Sequence, residues 1–100
     1  MDLKKLAYFV TIVEEGQITR AAQRLHIAQP PLSLQLKSLE EELGVTLIER
    51  ENKKFEITPA GWTLYKRAKE VLHSIDGMVA EIHDQEQGMR GTLSIGTVMS

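Results

Sequence analysis

Three observations predict a mainly α fold for this 100-residue chain. Apolar residues recur at helical spacing in four segments, glycine or proline stands at most of the boundaries, and only two short β-rich runs interrupt the series. The predicted order is three short helices, a two-stranded wing and one long helix.

Residues 2–15 read as the first helix. Asp2 is placed as its N-cap, and Leu3, Leu6, Val10 and Val13 recur at helical spacing with Phe9 beside them. Gly16 is a natural stop. Residues 18–25 read as a short second helix with Ala21, Ala22 and Leu25 inward, where small side chains let another helix approach. His26-Ile27-Ala28 is long enough only for a tight turn, with Ile27 plugging the core. The third helix runs from Gln29 to Leu43. Pro30 and Pro31 occupy its first turn, where a missing N–H costs nothing, and Gly44 ends it. Its inward stripe is Leu32, Leu36, Leu39 and Leu43.

Val45–Ile48 and Phe55–Ile57 are predicted as strands around the polar tip 49–54. Thr58 and Pro59 then supply an N-cap and a first helical residue. The fourth helix continues from Pro59 to Gln87, because Gly61 and Gly77 weaken it without breaking it. At about 1.5 Å per residue it spans about 43 Å, longer than so small a domain is wide. Trp62 is placed in the core against the wing. Gly88-Met89-Arg90-Gly91 reads as a linker, and Thr92–Gly96 begins a period-2 strand pattern, so a longer protein is expected.

Composition narrows the function. Hydrophobic residues at 42% and charged residues at 26% describe an ordinary globular chain. With no cysteine, disulfides and thiolate metal sites are excluded, which fits a reducing, cytoplasmic setting. The longest apolar run, Leu6–Val13, is far short of the roughly 20 residues a membrane span needs. It also lacks a cleavage pattern that would make it a signal peptide. The net charge of −2 hides a gradient. Residues 18–69 carry nine Lys/Arg against six Glu (+3), whereas residues 70–100 carry one Arg against five acids (−4). Local fields rather than totals steer a polyanion.

The second and third helices, joined by a three-residue turn, fit a helix-turn-helix. Advancing about 100° per residue from Leu32 places Pro30, Ser33, Leu34 and Lys37 at roughly 160°, 100°, 200° and 140°, opposite the apolar stripe. That face is short, polar and basic, as entry into a major groove requires. Gln29 can pair with adenine, Ser33 can donate or accept, Leu34 can rest on a thymine methyl, and Lys37 can meet a phosphate. The positive helix N-terminus suits nearby phosphates as well. Singly, each of these is an ordinary surface residue; their grouping behind the turn favours DNA. Arg50, Lys53 and Lys54 cluster at the wing tip, where cations can follow the backbone or enter the minor groove.

Three rival functions are weaker. No nucleophile motif, phosphate loop or dinucleotide fingerprint supports an enzyme, so no catalytic residue is assigned. His26, His73 and His83 are scattered, so no metal site is assigned. A purely protein-binding winged module would not need Ser33, Leu34 and Lys37 on one outward face.

The residues Leu6, Phe9, Val13, Glu15-Gly16, Thr19-Arg20-Ala21-Ala22, Leu25, Ala28-Gln29-Pro30, Leu32-Ser33, Gln35-Leu36-Lys37, Leu39-Glu40, Leu43-Gly44, Leu47-Ile48, Arg50 and Thr58-Pro59-Ala60-Gly61 run in one order. In that order the chain closely resembles the amino-terminal region of LysR-type transcriptional regulators. The resemblance implies a winged helix-turn-helix DNA-binding domain at 1–58, a linker and dimerisation helix at 59–88, and a hinge at 89–100. That last segment would lead into an absent effector-binding domain of the periplasmic-binding type. It further implies double-stranded DNA as partner, with the third helix in the major groove and the wing at the adjacent minor groove. DNA contact is assigned to Thr19, Gln29, Pro30, Pro31, Ser33, Leu34, Lys37, Arg50, Lys53 and Lys54. No cofactor is implied for these residues. A small-molecule effector is expected for the absent domain, and RNA polymerase is a further candidate partner.

Some positions depart from the family pattern. Leu34 stands where the family often has Arg, so a guanine contact is lost there. Gln17 stands where Ser is common, so the second helix should lack its usual cap. Ile48 replaces a frequent Phe.

Tyr65, Ala68, Leu72, Ile75, Val79 and Ile82 recur with spacing 3, 4, 3, 4, 3, and Leu64 widens the seam. Such a heptad pairs two helices. The resemblance supplies an antiparallel, two-fold arrangement and a dimer, or a tetramer in the longer protein. A dimer would present two reading helices to a pseudo-palindromic site.

Overall fold

Capping chemistry sets most of the helix boundaries. In α1 (Leu3–Glu15) the Asp2 carboxylate accepts the Lys5 N–H at 2.8 Å. Gly16 closes the helix at φ +75°, its N–H donating to the Ile12 carbonyl at 3.0 Å. α2 (Ile18–Leu25) has no side-chain cap at Gln17, as the missing serine implied. α3 (Gln29–Leu43) begins with Pro30 and Pro31 in its first turn and ends at Gly44, φ +70°. These three spans agree with the sequence reading.

The computed structural model describes the backbone of residues 1–91 and the side chains of residues 1–86. The strand pattern expected at 92–96 lies outside the described residues. Two compact units divide the chain, Met1–Glu70 and the residues from Val71 on.

The wing is shorter than expected. β1 (Ile48–Glu49) and β2 (Glu56–Ile57) pair antiparallel, Ile48 opposite Ile57 and Glu49 opposite Glu56. Val45–Leu47 does not join the ladder because its backbone groups are taken elsewhere. The Thr58 hydroxyl donates to the Thr46 carbonyl at 2.7 Å, and the Leu47 N–H donates to the Glu40 carboxylate at 2.7 Å. Between the strands lies a 3₁₀ turn at Glu51–Lys53, with Asn52 and Lys53 in the left-handed region at φ +55° and +61°.

α4 (Pro59–Gly91) starts where the Thr58 hydroxyl accepts the Gly61 N–H at 3.0 Å. It runs past the expected linker at 88–91. One interior glycine costs a helix only about 1 kcal/mol, and Met89 and Arg90 are good helix formers.

Within Met1–Glu70, Phe9 and Ile12 of α1, Ala21 and Ala22 of α2, and Leu32, Leu36 and Leu39 of α3 form one core with Leu47 and Ile48. Ile27 packs against it from the turn, as expected. Burying a leucine of this kind stabilises by about 1.5–3 kcal/mol. Three residues expected inside are exposed. Leu3 is the first residue of α1 and Leu43 the last of α3, and both are exposed. Trp62 is 54% exposed, in edge-to-face contact with Tyr65. The face of α4 that meets the wing is that of Gly61, where a Cβ would overlap the Leu47 carbonyl oxygen. Trp62, about 100° further round the helix, points away from it.

In the second unit, the described part of α4 carries Leu72 and Ile75 half-buried and Val71, Met78, Val79 and Ile82 exposed.

Candidate nucleic-acid interface

The small side chains of Ala21 and Ala22 bring α2 close to α3, and the buried Leu32, Leu36 and Leu39 fix the rotation of α3 about its axis. The opposite face is therefore held outward. Gln29, Pro30, Pro31 and Lys37 are exposed, Ser33 is half-buried, and Leu34 is 67% exposed. An apolar side chain so exposed presents a methyl surface outward.

Thr19 of α2 reaches this face. Its hydroxyl donates to the Gln29 side-chain carbonyl at 3.2 Å, which turns the amide and leaves its NH₂ donors free. The helix end itself is a weaker anion site than the sequence alone suggested. Among the first three residues of α3 only Gln29 has an N–H, since Pro30 and Pro31 carry none. What remains is the positive end of the dipole, with no acidic residue in the first turn to offset it.

At the wing, Lys53 and Lys54 are exposed. Among the described residues, no acidic group lies in salt-bridge range of Lys37, Lys53 or Lys54. Arg50 differs, because its Nη2 stands 3.9 Å from a Glu40 carboxylate oxygen.

Two residues with structural roles escaped the sequence reading. Glu40 accepts the N–H groups of Leu47 at 2.7 Å and Ile48 at 3.1 Å, tying α3 to the wing. Glu14 lies 3.0 Å from Arg24 and 3.3 Å from Lys69, and it accepts the Tyr65 hydroxyl at 3.2 Å. Desolvation pushes the Glu14 carboxyl up. The bonds from Arg24, Lys69 and Tyr65 outweigh it and hold the group below the ordinary carboxylate range. Glu40 stands in the ordered family run without a role assigned to it there, and Glu14 belongs to no motif; the signal of both is a pairing across the chain.

The seam residues divide between two environments. Leu64 and Tyr65 pack against the core and Ala68 is buried, all within Met1–Glu70. Leu72, Ile75, Val79 and Ile82 belong to the second unit, where Val79 and Ile82 are 42% and 55% exposed. Among the described residues no His/Asp/Glu group could hold a metal, and no helix is long and apolar enough to cross a membrane.

Comparison with known proteins places this geometry. Residues 3–62 match the family model described as bacterial regulatory helix-turn-helix protein, lysR family. The chain is 48% identical over 100 residues to the HTH-type transcriptional regulator BsdA of Bacillus subtilis, covering 99% of this chain and 34% of that protein. It is 44% identical over 100 residues to the regulator BenM of Acinetobacter baylyi, covering all of this chain and 33% of BenM. The chain thus spans about a third of the length of these relatives. Among solved structures, the DNA-binding domain of BenM in complex with the catB site 1 DNA superposes with a TM-score of 0.84 at 45% identity. That match covers 88% of this chain and 98% of the other.

Proposed function

The chain belongs to the lysR family of bacterial regulatory helix-turn-helix proteins, and from that membership we propose that it is the sequence-specific DNA-binding part of a transcriptional regulator. α3 enters the major groove of an operator and the wing meets the adjacent minor groove. The observation that carries the reading is the division of α3 into two faces. Leu32, Leu36 and Leu39 are buried, while Leu34 and Lys37 are exposed on the other side, and among the described residues no acidic group lies in salt-bridge range of the lysine. The BenM DNA-binding domain, solved in complex with DNA and 45% identical to this chain, supports duplex DNA as the partner.

In this reading Gln29, aimed by Thr19, and Ser33 contact base edges, while Leu34 rests on a thymine methyl. Pro30 and Pro31 let the helix end approach closely. Lys37, Arg50, Lys53 and Lys54 meet phosphates. Two copies pair through Leu72, Ile75, Val79 and Ile82, with Leu64, Tyr65 and Ala68 serving mainly their own domain, and the pair reads a pseudo-palindromic site. The longer protein, by the same reading, works in the cytoplasm as a dimer or tetramer. A small-molecule effector bound by its carboxy-terminal domain controls it, and RNA polymerase is its target at the promoter.

Fluorescence anisotropy with labelled duplex DNA at several salt concentrations tests the proposal. Binding whose log affinity falls steeply with log salt is the expected result. A chain that sediments as a dimer and ignores DNA at low salt would overturn it in favour of a protein-binding module.

A further inference from the structure

The tie between α3 and the wing carries an inference beyond DNA binding as such, and it rests on that reading. Glu40 lies on α3 at about 80° from Leu32, between the buried stripe and the outward face. Its side chain is only 15% exposed. One carboxylate oxygen accepts both the Leu47 N–H at 2.7 Å and the Ile48 N–H at 3.1 Å. The other faces Arg50 at 3.9 Å. On the same stretch, the Thr58 hydroxyl lies 2.7 Å from the Thr46 carbonyl oxygen and 3.1 Å from that of Leu47. The start of the wing is thus gripped by its amides from α3 and by its carbonyls from the start of α4. The ladder that follows is only two residues long on each strand, too short to hold the wing in place alone.

We propose that Glu40 is a positioning residue for DNA binding: it fixes where the wing cations stand relative to the reading face of α3, and it restrains Arg50 until a phosphate competes for it. The two oxygens divide these tasks. The one bonded to Leu47 and Ile48 sets the geometry, and the one facing Arg50 sets the charge. An uncompensated carboxylate here would repel the DNA backbone; two N–H donors and a guanidinium absorb its charge.

Glu40→Gln and Glu40→Ala separate the tasks. The amide keeps one carbonyl oxygen for the Leu47 and Ile48 N–H groups but frees Arg50. The Glu40→Gln variant is expected to keep the wild-type salt slope and to bind random duplex as tightly or more tightly. The Glu40→Ala variant loses the grip. It is expected to bind about tenfold more weakly, with a salt slope lower by about two units as wing phosphate contacts are lost. Its preference between two half-site sequences, read by α3, should persist. A purely structural role would lower the melting temperature and leave the slope of the folded protein unchanged, and that result would overturn the proposal. If Glu40→Ala does not melt cooperatively, Glu40→Asp, which draws the carboxylate back by one methylene, carries the same test. Wild-type chain that fails to bind DNA would instead bring down the reading on which this proposal stands.

Discussion

Two helical segments of this chain carry the same kind of apolar stripe and meet opposite fates. On α3, Leu32, Leu36 and Leu39 are at most 2% exposed. On the far part of α4, Val79 and Ile82 at similar spacing are 42% and 55% exposed. Periodicity guarantees a face that gains from being covered. It does not say what covers it. α3 finds α1 and the wing within its own unit, whereas the residues from Val71 on offer no such partner among the described side chains. In the proposed dimer a second copy supplies it.

The contrast can be broken most forcefully at its buried end. Leu36→Ala should destabilise Met1–Glu70 by about 2–5 kcal/mol, measured by denaturant unfolding. A loss of a few tenths would mean the stripe is not the core. In the second unit, Ile75→Asp should leave that unfolding transition intact but shift sedimentation from dimer to monomer, since the pair would bury unpaired charges. A variant that still sediments as a dimer removes the seam.

Finer tests concern the outward face of α3. Gln29→Ala and Ser33→Ala should each reduce discrimination between operator and altered sites by about 1–3 kcal/mol, measured by competition binding. An equal loss on every sequence would reassign them to the backbone. Lys53→Ala should weaken binding to every duplex and lower the salt slope by about one unit.

The smallest expected effect is acid sensitivity. Because hydrogen bonds from Arg24, Lys69 and Tyr65 hold the Glu14 carboxyl below its unfolded value, its contribution to stability is present above the ordinary carboxylate range. That contribution is lost as pH falls through the lowered value. With the group partly exposed, the effect should be below about 1 kcal/mol. Glu14→Gln should flatten the pH dependence of unfolding over that acidic range, and an unchanged profile would remove the network from the balance.

Much of this could be read from residues in order. The spans of α1, α2 and α3, the caps at Asp2 and Gly44, the missing cap at Gln17 and the outward face of Pro30, Ser33, Leu34 and Lys37 follow from interactions within about four residues along the chain. Such interactions are written in local spacing, so the sequence determines them by itself, and the ordered run of motif residues carries the family with them. Tertiary structure alone decided the rest. It turned Trp62 outward, because Gly61 claims the contact with Leu47. It shortened the wing by drawing the Leu47 amide to Glu40 and the Thr46 carbonyl to Thr58. It also divided one heptad, burying Ala68 in the first unit and leaving Val79 and Ile82 exposed among the described residues of the second. Each of these outcomes depends on which distant residue reaches a given surface first, and that competition is settled only when the helices pack.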